Sequence, residues 1–327
     1  MRKLATLARI ESLTKHPNAD QLELATVRGW QVVVKTGEFQ TGDQCVYVEI
    51  DSVLPPRPEF EFLAPRRYRV KTIRLRGELS QGICFPLSVL PFSLSLPDGY
   101  DVTDQLGIQL YQPPIAACLA GDVVGVFPRF IPKTDQERIQ NHRWILDELR
   151  DEEWVVTEKI DGSSCTMFMR DGEFGVCSRN YQLKPSDHNA FWIAARKYRV
   201  EEKLQGMNWA IQGELIGPKI QGNRYGLSDY QWRVFDVYHI DQGEYLDPVS
   251  LIDFCKSLEL ETVPHLFKCH TFQTMTQMLV AAEDKSVLNP KVEREGLVWK
   301  PIKERTDARI GRVSFKVISN KFLLNSD

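Results

Sequence analysis

Lys159 closes an apolar, β-branched run, Trp154-Val-Val-Thr-Glu-Lys159, and leads into Ile160-Asp161-Gly162-Ser163-Ser164. The pattern reads as a strand ending in a tight turn that presents the amine in a cleft. A lysine attacks only as the free amine, and with an ordinary pKa near ~10.4 only about one part in a thousand is neutral near pH 7. Burial, cationic neighbours or a metal would lower that pKa and make Lys159 a competent nucleophile. Gly162 would let the backbone approach a bound ligand closely. Alone, Lys-x-Asp-Gly is short enough to arise by chance and would be a surface turn.

Further along stand Ser178-Arg179-Asn180, Gly213-Glu214-Leu-Ile-Gly217, Phe235-Asp236, Glu295-Gly296-Leu-Val and Ser314-Phe-Lys316. Each has a bland reading: a strand-end carboxylate at Glu214, a core ring at Phe235, a turn at Glu295-Gly296, a surface ion pair at Arg179, an exposed strand lysine at Lys316. In this order, over residues 154–324, the set resembles the covalent nucleotidyltransferases: ATP-dependent DNA ligases, RNA ligases and mRNA capping enzymes.

That resemblance implies roles. Lys159 would attack the α-phosphorus of ATP, leaving a lysyl-AMP phosphoramidate, and Lys316 would neutralise phosphate charge. Glu214 would hold the ribose, Arg179 ribose or phosphate, and Phe235 would stack on adenine. The backbone around Glu158 and Ile160 would read the adenine edge. Asp161, Glu214 and Glu295 would hold the waters of Mg²⁺ or Mn²⁺, hard cations that favour oxygen.

The elements that must position these groups alternate between strands and helices. Strands are expected at Cys165–Arg170 and Glu173–Ser178 around an Asp171-Gly172 turn, at Trp209–Ile216, at Gln231–Ile240 and in two C-terminal runs. Helical spacing covers 188–204, 248–258 and 271–283. Thr134 or Asp135 is expected to cap a short helix, and the acidic stretch Asp147 to Glu153 to be a solvated face. The fold class is thus an α/β (α+β) nucleotidyltransferase domain with antiparallel sheets, preceded by an all-β domain.

That first domain shows strands at Leu4–Ile10, Leu22–Val27, Trp30–Lys35 and Cys45–Ile50, the spacing of a small barrel. The loop Lys15-His16-Pro17-Asn18-Ala19-Asp20 resembles the His-Pro-x-Ala-Asp signature of the OB-fold tRNA-binding module, with His16-Pro17 read as a structural turn. A basic run follows, in which Arg69, Lys71, Arg74 and Arg76 would project from a strand face, either to track an RNA backbone or as a solvated face balanced by Glu59, Glu61 and Glu78. The expected domains are 1–128, OB-like, and 129–327, nucleotidyltransferase. Residues 112–114 and the strand signal after Gly121 fall in an irregular connection.

Composition is that of an ordinary soluble protein: 327 residues, 43% hydrophobic and 26% charged, enough for two cores. The net charge of −3 leaves nucleic-acid binding to local patches. No apolar run approaches the ~20 residues of a membrane span, and the first nine residues lack a secretory core, so a cytoplasmic location without membrane contact is expected. Seven scattered cysteines without a Cys-x-x-Cys pair read as buried thiols.

DNA ligases and capping enzymes carry an OB domain after the nucleotidyltransferase domain. Here only about ten residues follow Lys316, and the OB-like domain stands in front. That order, the Gly217–Asn223 loop and the Lys133–Asn141 junction resemble a class of nick-sealing RNA ligases. Where RNA ligases often have Lys-x-Lys, this chain has Ser314-Phe-Lys316, and Lys300 or Lys321 is the candidate for the missing cation. The expected function is an ATP-dependent RNA ligase joining 3′-OH and 5′-phosphate RNA ends, nicked duplexes among them. The alternatives are a DNA ligase or other polynucleotide nucleotidyltransferase and, in another class, a non-catalytic tRNA- or RNA-binding protein. Oligomeric state is not legible.

Overall fold

A computed structural model describes residues 3–91, 96–111, 122–269 and 274–325. The chain divides into two compact units, residues 1–114 with 323–327, and residues 115–322. The motif of residues 112–114 lies outside the described residues. The strand Val123–Val126, on the N-terminal side of the expected boundary at 128, pairs with Tyr181–Leu183 of the second unit. No described helix is long and apolar enough to cross a membrane.

The described strands of the first unit pair antiparallel throughout, with short helical turns at Pro58–Arg66 and Thr103–Leu106 between them. Ala5–Arg9, Gln44–Val48 and Ile83–Phe85 form one sheet, and Ser12–Lys15, Leu22–Val27 and Trp30–Lys35 a meander. Alternating burial along Trp30–Lys35 puts Trp30, Val32 and Val34 into the core.

The second unit holds two sheets that supply the site. One has seven strands, with Ser163–Arg170, Trp209–Ile216 and Gln231–His239 adjacent at its centre. The Asp171-Gly172 turn behaves as expected of a tight hairpin, both residues having positive φ. The second sheet has five strands, in the order Glu137–Arg138, Phe315–Ile318, Gly296–Pro301, Trp154–Lys159, His265–Cys269. Its first pairing is parallel and the rest are antiparallel. Trp154, Trp299 and Phe315 pack together beneath it, Trp299 and Phe315 stacked with ring planes 12° apart and Trp154 tilted against Phe315. That aromatic floor fixes three neighbouring strands, which bear Lys159, the segment after Glu295, and Lys316.

Some local expectations give way to tertiary contacts. The helical stretch 188–204 breaks into Ala190–Lys197 and Val200–Lys203 at Arg199, which sits at φ 52°. Thr134 and Asp135 cap no described helix; residues 132–136 are irregular and lead into the strand Glu137–Arg138. The acidic stretch is not simply solvated, because Glu148 binds Arg309 and Glu152 binds Arg305. The expected helix at 271–283 is described only over Met275–Ala282.

Gly296 shows how tightly the second sheet closes. A Cβ there would lie 2.1 Å from the Val317 carbonyl oxygen and 2.9 Å from Ile318 Cα. Both neighbours are backbone and cannot rotate away. Gly296→Ala is therefore expected to destabilise the protein by roughly 3 kcal/mol or more, as overpacking against fixed atoms does. Thermal unfolding would show this as a loss of several degrees, and an unchanged midpoint would contradict it.

Candidate active site

Lys159 faces Gly296 across the antiparallel pair, and its Nζ donates to Glu295 Oε2 at 2.8 Å. Burial pushes the ammonium down, but Glu295 and Glu214 attract it and hold it above an ordinary lysine. This corrects the expectation of an amine lowered by cationic neighbours: the chain surrounds Lys159 with carboxylates. Glu214 lies on Trp209–Ile216 opposite Ser164 and accepts the Gly162 N–H. Burial pushes its carboxyl up to about 8, against the pull of Lys159 and with a further push from Glu295 and Asp161. Asp161 is pushed up to about 6, by burial first and Glu295 second.

Packing also requires a glycine at 162. A Cβ there would meet the Leu215 carbonyl oxygen at 2.5 Å and Glu214 Cγ at 2.9 Å. The missing side chain lets the turn after Lys159 lie against the Glu214 strand, joining the two sheets at the nucleophile.

Lys316 enters from the strand beyond Gly296–Pro301. Burial, Lys159 and Arg138 together push it down to about 7. Arg138 is buried and stands in parallel register with Lys316. It is the nearby second cation that the sequence reading passed over. Lys300 is committed elsewhere: its Nζ, 2.8 Å from Asp236 Oδ1 and 2.5 Å from the Phe235 carbonyl, is buried in a network that also takes in Arg312 and Glu304. Lys321 Nζ lies 3.4 Å from Glu283 Oε2. Ser314, two residues before Lys316, accepts from Gln136 Nε2 at 2.9 Å.

The segment from Pro132 to Arg138 spans both sheets. The Pro132 carbonyl accepts from Gln212, Thr134 Oγ1 lies 3.0 Å from Ser164 Oγ, and Asp135 accepts from Arg179 at 2.5 Å. Glu137–Arg138 then joins the Lys316 strand. Arg179 is thus held at the cleft by an exposed ion pair.

Ile160, Ile216, Tyr225 and Val263 form an apolar cluster with Phe235, Leu227, Leu288 and Val292 packed on it. Glu158, at its margin, is buried; one carboxylate oxygen accepts from Val287 N at 2.8 Å, and Oε1 has no protein partner. The Glu158 backbone N–H is taken by the Pro264 carbonyl at 2.9 Å. Among the described residues no three His, Cys, Asp or Glu side chains converge as a ready-made metal site. Asp161, Glu214 and Glu295 still surround Lys159 with hard oxygens, a donor set suited to a hydrated Mg²⁺ or Mn²⁺ held largely through water.

Residues 152–318 match the family model for RNA ligase. The chain belongs to the RNA ligase family. Residues 4–87 match an OB-fold domain. Among solved structures the ligase is similar to Naegleria gruberi RNA ligase. It is 40% identical to an apo lysine-to-alanine variant, with a TM-score of 0.89 over 99% of this chain and 98% of that one. It is 39% identical to a variant with ATP and Mn, TM-score 0.89, covering 98% of each chain. A third structure, with pyrophosphate, matches at 40% identity and a TM-score of 0.88 over 99% of this chain and 98% of that one. Comparison with curated protein sequences finds no match.

In the ligase's OB-fold domain the basic run is not one strand. Arg67 and Tyr68 have left-handed backbones, the strand covers only Thr72–Leu75, and Arg76 begins a turn. Arg69 is drawn aside by Asp51 at 3.0 Å and by the Tyr111 ring at 3.5 Å. Arg74 Nη1 donates to the Gly77 carbonyl, while Lys71 is exposed. The four therefore do not share a strand face. His16 is structural, as expected: Nδ1 accepts from Asn18 N, which leaves Nε2–H to donate to the Leu75 carbonyl at 3.1 Å. It ties its loop to the Arg74–Arg76 hairpin.

Proposed function

We propose that this chain is an ATP-dependent RNA ligase that works through adenylated Lys159. The observation that carries the reading is the convergence of Lys159, Glu295, Glu214, Asp161 and Lys316 at one junction of two sheets. First, Lys159 Nζ attacks the α-phosphorus of ATP. The ammonium first passes a proton to Glu295, 2.8 Å away; the P–N bond then forms, the bond to pyrophosphate breaks, and the attacking nitrogen's second proton leaves to solvent. Lys316 and Arg138 face the negative charge that gathers on the phosphates, and in a water-poor cleft such fixed cations stabilise it strongly. Next, an oxygen of the RNA 5′-phosphate attacks the AMP phosphorus and releases Lys159, giving a 5′–5′ pyrophosphate-linked end. Finally, the 3′-OH attacks the 5′-phosphorus of that RNA end and AMP departs.

Because its own carboxylates hold Lys159 charged, added positive charge is what frees it. Mg²⁺ or Mn²⁺ held through water by Asp161, Glu214 and Glu295 would supply that charge and screen the phosphates. Phe235 offers a face for adenine beside the apolar cluster. Glu158 Oε1 offers an acceptor for the exocyclic amine, which adenine has at position 6 and guanine lacks there. Arg179 would exchange Asp135 for ribose or phosphate.

The OB-fold domain is proposed to grip the RNA through Lys71, Arg74 and Arg76, with Arg69 setting the local shape. Nicked duplexes are the favoured substrate, because the site needs both ends held together. The free cysteines among the described residues, nearly all buried, fit a reducing cytoplasm.

The test is incubation with α-labelled ATP and Mg²⁺ or Mn²⁺ followed by a denaturing gel, with labelled GTP alongside. Label from ATP alone, followed by sealing of an RNA nick, is expected. No label from folded, initially unadenylated protein would end the reading, and sealing that ignores the 2′-OH at the 3′ end would favour a DNA ligase.

A further inference from the structure

The loop from Gly217 to Gly226 is an unusual stretch of backbone. Lys219, Gln221 and Asn223 have φ of 64°, 43° and 51°, and Gly217, Gly222 and Gly226 are also positive. Non-glycine residues rarely adopt this conformation, and strain of this kind persists only where surrounding contacts over-determine it. The loop is held from within by Asn223, whose Oδ1 accepts from Leu227 N at 3.0 Å and whose Nδ2 donates to Leu227 O at 2.9 Å.

What the loop holds is the site. Tyr225 Oη accepts the Asp161 backbone N–H at 2.8 Å, and Gln221 Nε2 donates to the Gly162 carbonyl at 3.3 Å. Arg224 Nη2 donates to the Glu293 carbonyl at 3.2 Å, two residues before Glu295. Asn289 Nδ2 donates to the Tyr225 carbonyl at 3.2 Å. Tyr225 itself is only 6% exposed, its ring packed with Ile160 and Ile216. One strained loop therefore fastens the turn after the nucleophile and the segment that delivers the nucleophile's carboxylate partner.

We propose that Tyr225 is a positioning residue for lysine adenylation, its phenol oxygen fixing the Asp161 backbone and so the placement of Lys159 and the Asp161 carboxylate. This rests on the proposed function above. The loop's strain then has a use: it directs a side chain from a distant part of the chain under the catalytic turn.

The experiment compares Tyr225→Phe, which keeps the ring, with the full-length wild type. The variant is expected to unfold close to the wild-type temperature. Single-turnover adenylation at saturating ATP should slow by roughly 10- to 100-fold, with a raised Mn²⁺ requirement, as loss of an outer support does. Asn223→Gly, which keeps the left-handed backbone but removes the fork to Leu227, should move both quantities the same way, by less. Amide exchange over 159–163 should quicken in Tyr225→Phe whether or not the protein ligates. Wild-type rate, metal dependence and exchange would overturn the proposal, as would a raised KM for ATP at unchanged kcat, which would make Tyr225 a ligand contact. Wild-type protein that takes no AMP would instead defeat the ligase reading, and the exchange result would still decide the role of the phenol.

Discussion

Lys159→Ala is expected to take no AMP from ATP, a loss on the order of ten-thousandfold or more, as when other covalent nucleophiles are removed. No neighbour can replace it: Lys316 enters from another strand, and Lys300 is buried against Asp236. The variant should still seal RNA supplied with a ready-made adenylated 5′ end, because the last step breaks a bond between AMP and RNA and needs no lysine nucleophile. Both outcomes can be read on one gel, from protein label and from RNA length. Protein label at wild-type level in Lys159→Ala would remove this residue from the mechanism. Retained label in a double variant lacking Lys316 as well would remove the whole cleft. Folding should survive, because Glu214 and Asp161, whose carboxyls burial already pushes up, can take up protons once the lysine charge that opposes that push is gone.

Lys316→Ala should slow adenylation about a hundredfold to a thousandfold, the effect of removing one preorganised charge partner from a transition state. Its pH dependence is more specific. With its pKa held down at about 7, Lys316 is charged below neutrality and progressively neutral above it. Phosphate favours the charged form, so nucleotide binding draws a proton onto Lys316 as pH rises. Apparent affinity should then weaken above pH 7, by up to about tenfold per unit from this one group. Lys316→Arg stays charged across that range and should flatten the slope even if it seats phosphate less well. Equilibrium nucleotide binding between pH 6 and 9 measures this with no turnover. Parallel slopes in wild type and Lys316→Arg would show that another group titrates.

The catalytic frame was largely readable because strands and turns advertise themselves locally. β-Branched runs marked Trp154–Lys159 and Trp209–Ile216, and Asp171-Gly172 marked its hairpin. Ordered motifs then pointed to Lys159, Glu214, Glu295 and Lys316, which the fold brings to one place. What stayed hidden was set by crossings between distant segments. Arg138 lies in a stretch without apolar alternation and gains meaning only from its parallel pairing with Lys316. Tyr225, just past the Gly217–Asn223 loop, belongs to no motif, because nothing nearby in sequence shows that its hydroxyl reaches Asp161. The same blindness acted in reverse on Arg69, whose place on an apparent cationic face is cancelled by Asp51 and Tyr111. Local pattern foretells elements well; it does not say which charge a neighbour from elsewhere will claim.

The order of strands in the five-stranded sheet also bears on how the enzyme comes into being. Gln136 and Ser314, hydrogen-bonded at its edge, are 178 positions apart, and the Lys159 strand can pair with its catalytic neighbour only after residues 296–301 exist. Pairings of such separation close slowly, because long loops must be ordered before any contact rewards them. A chain still emerging from the ribosome therefore carries its nucleophile well over a hundred residues before it gains Glu295 and Lys316. Chemical competence arrives with the closing strand, so a half-made chain has no assembled cleft in which to consume nucleotide.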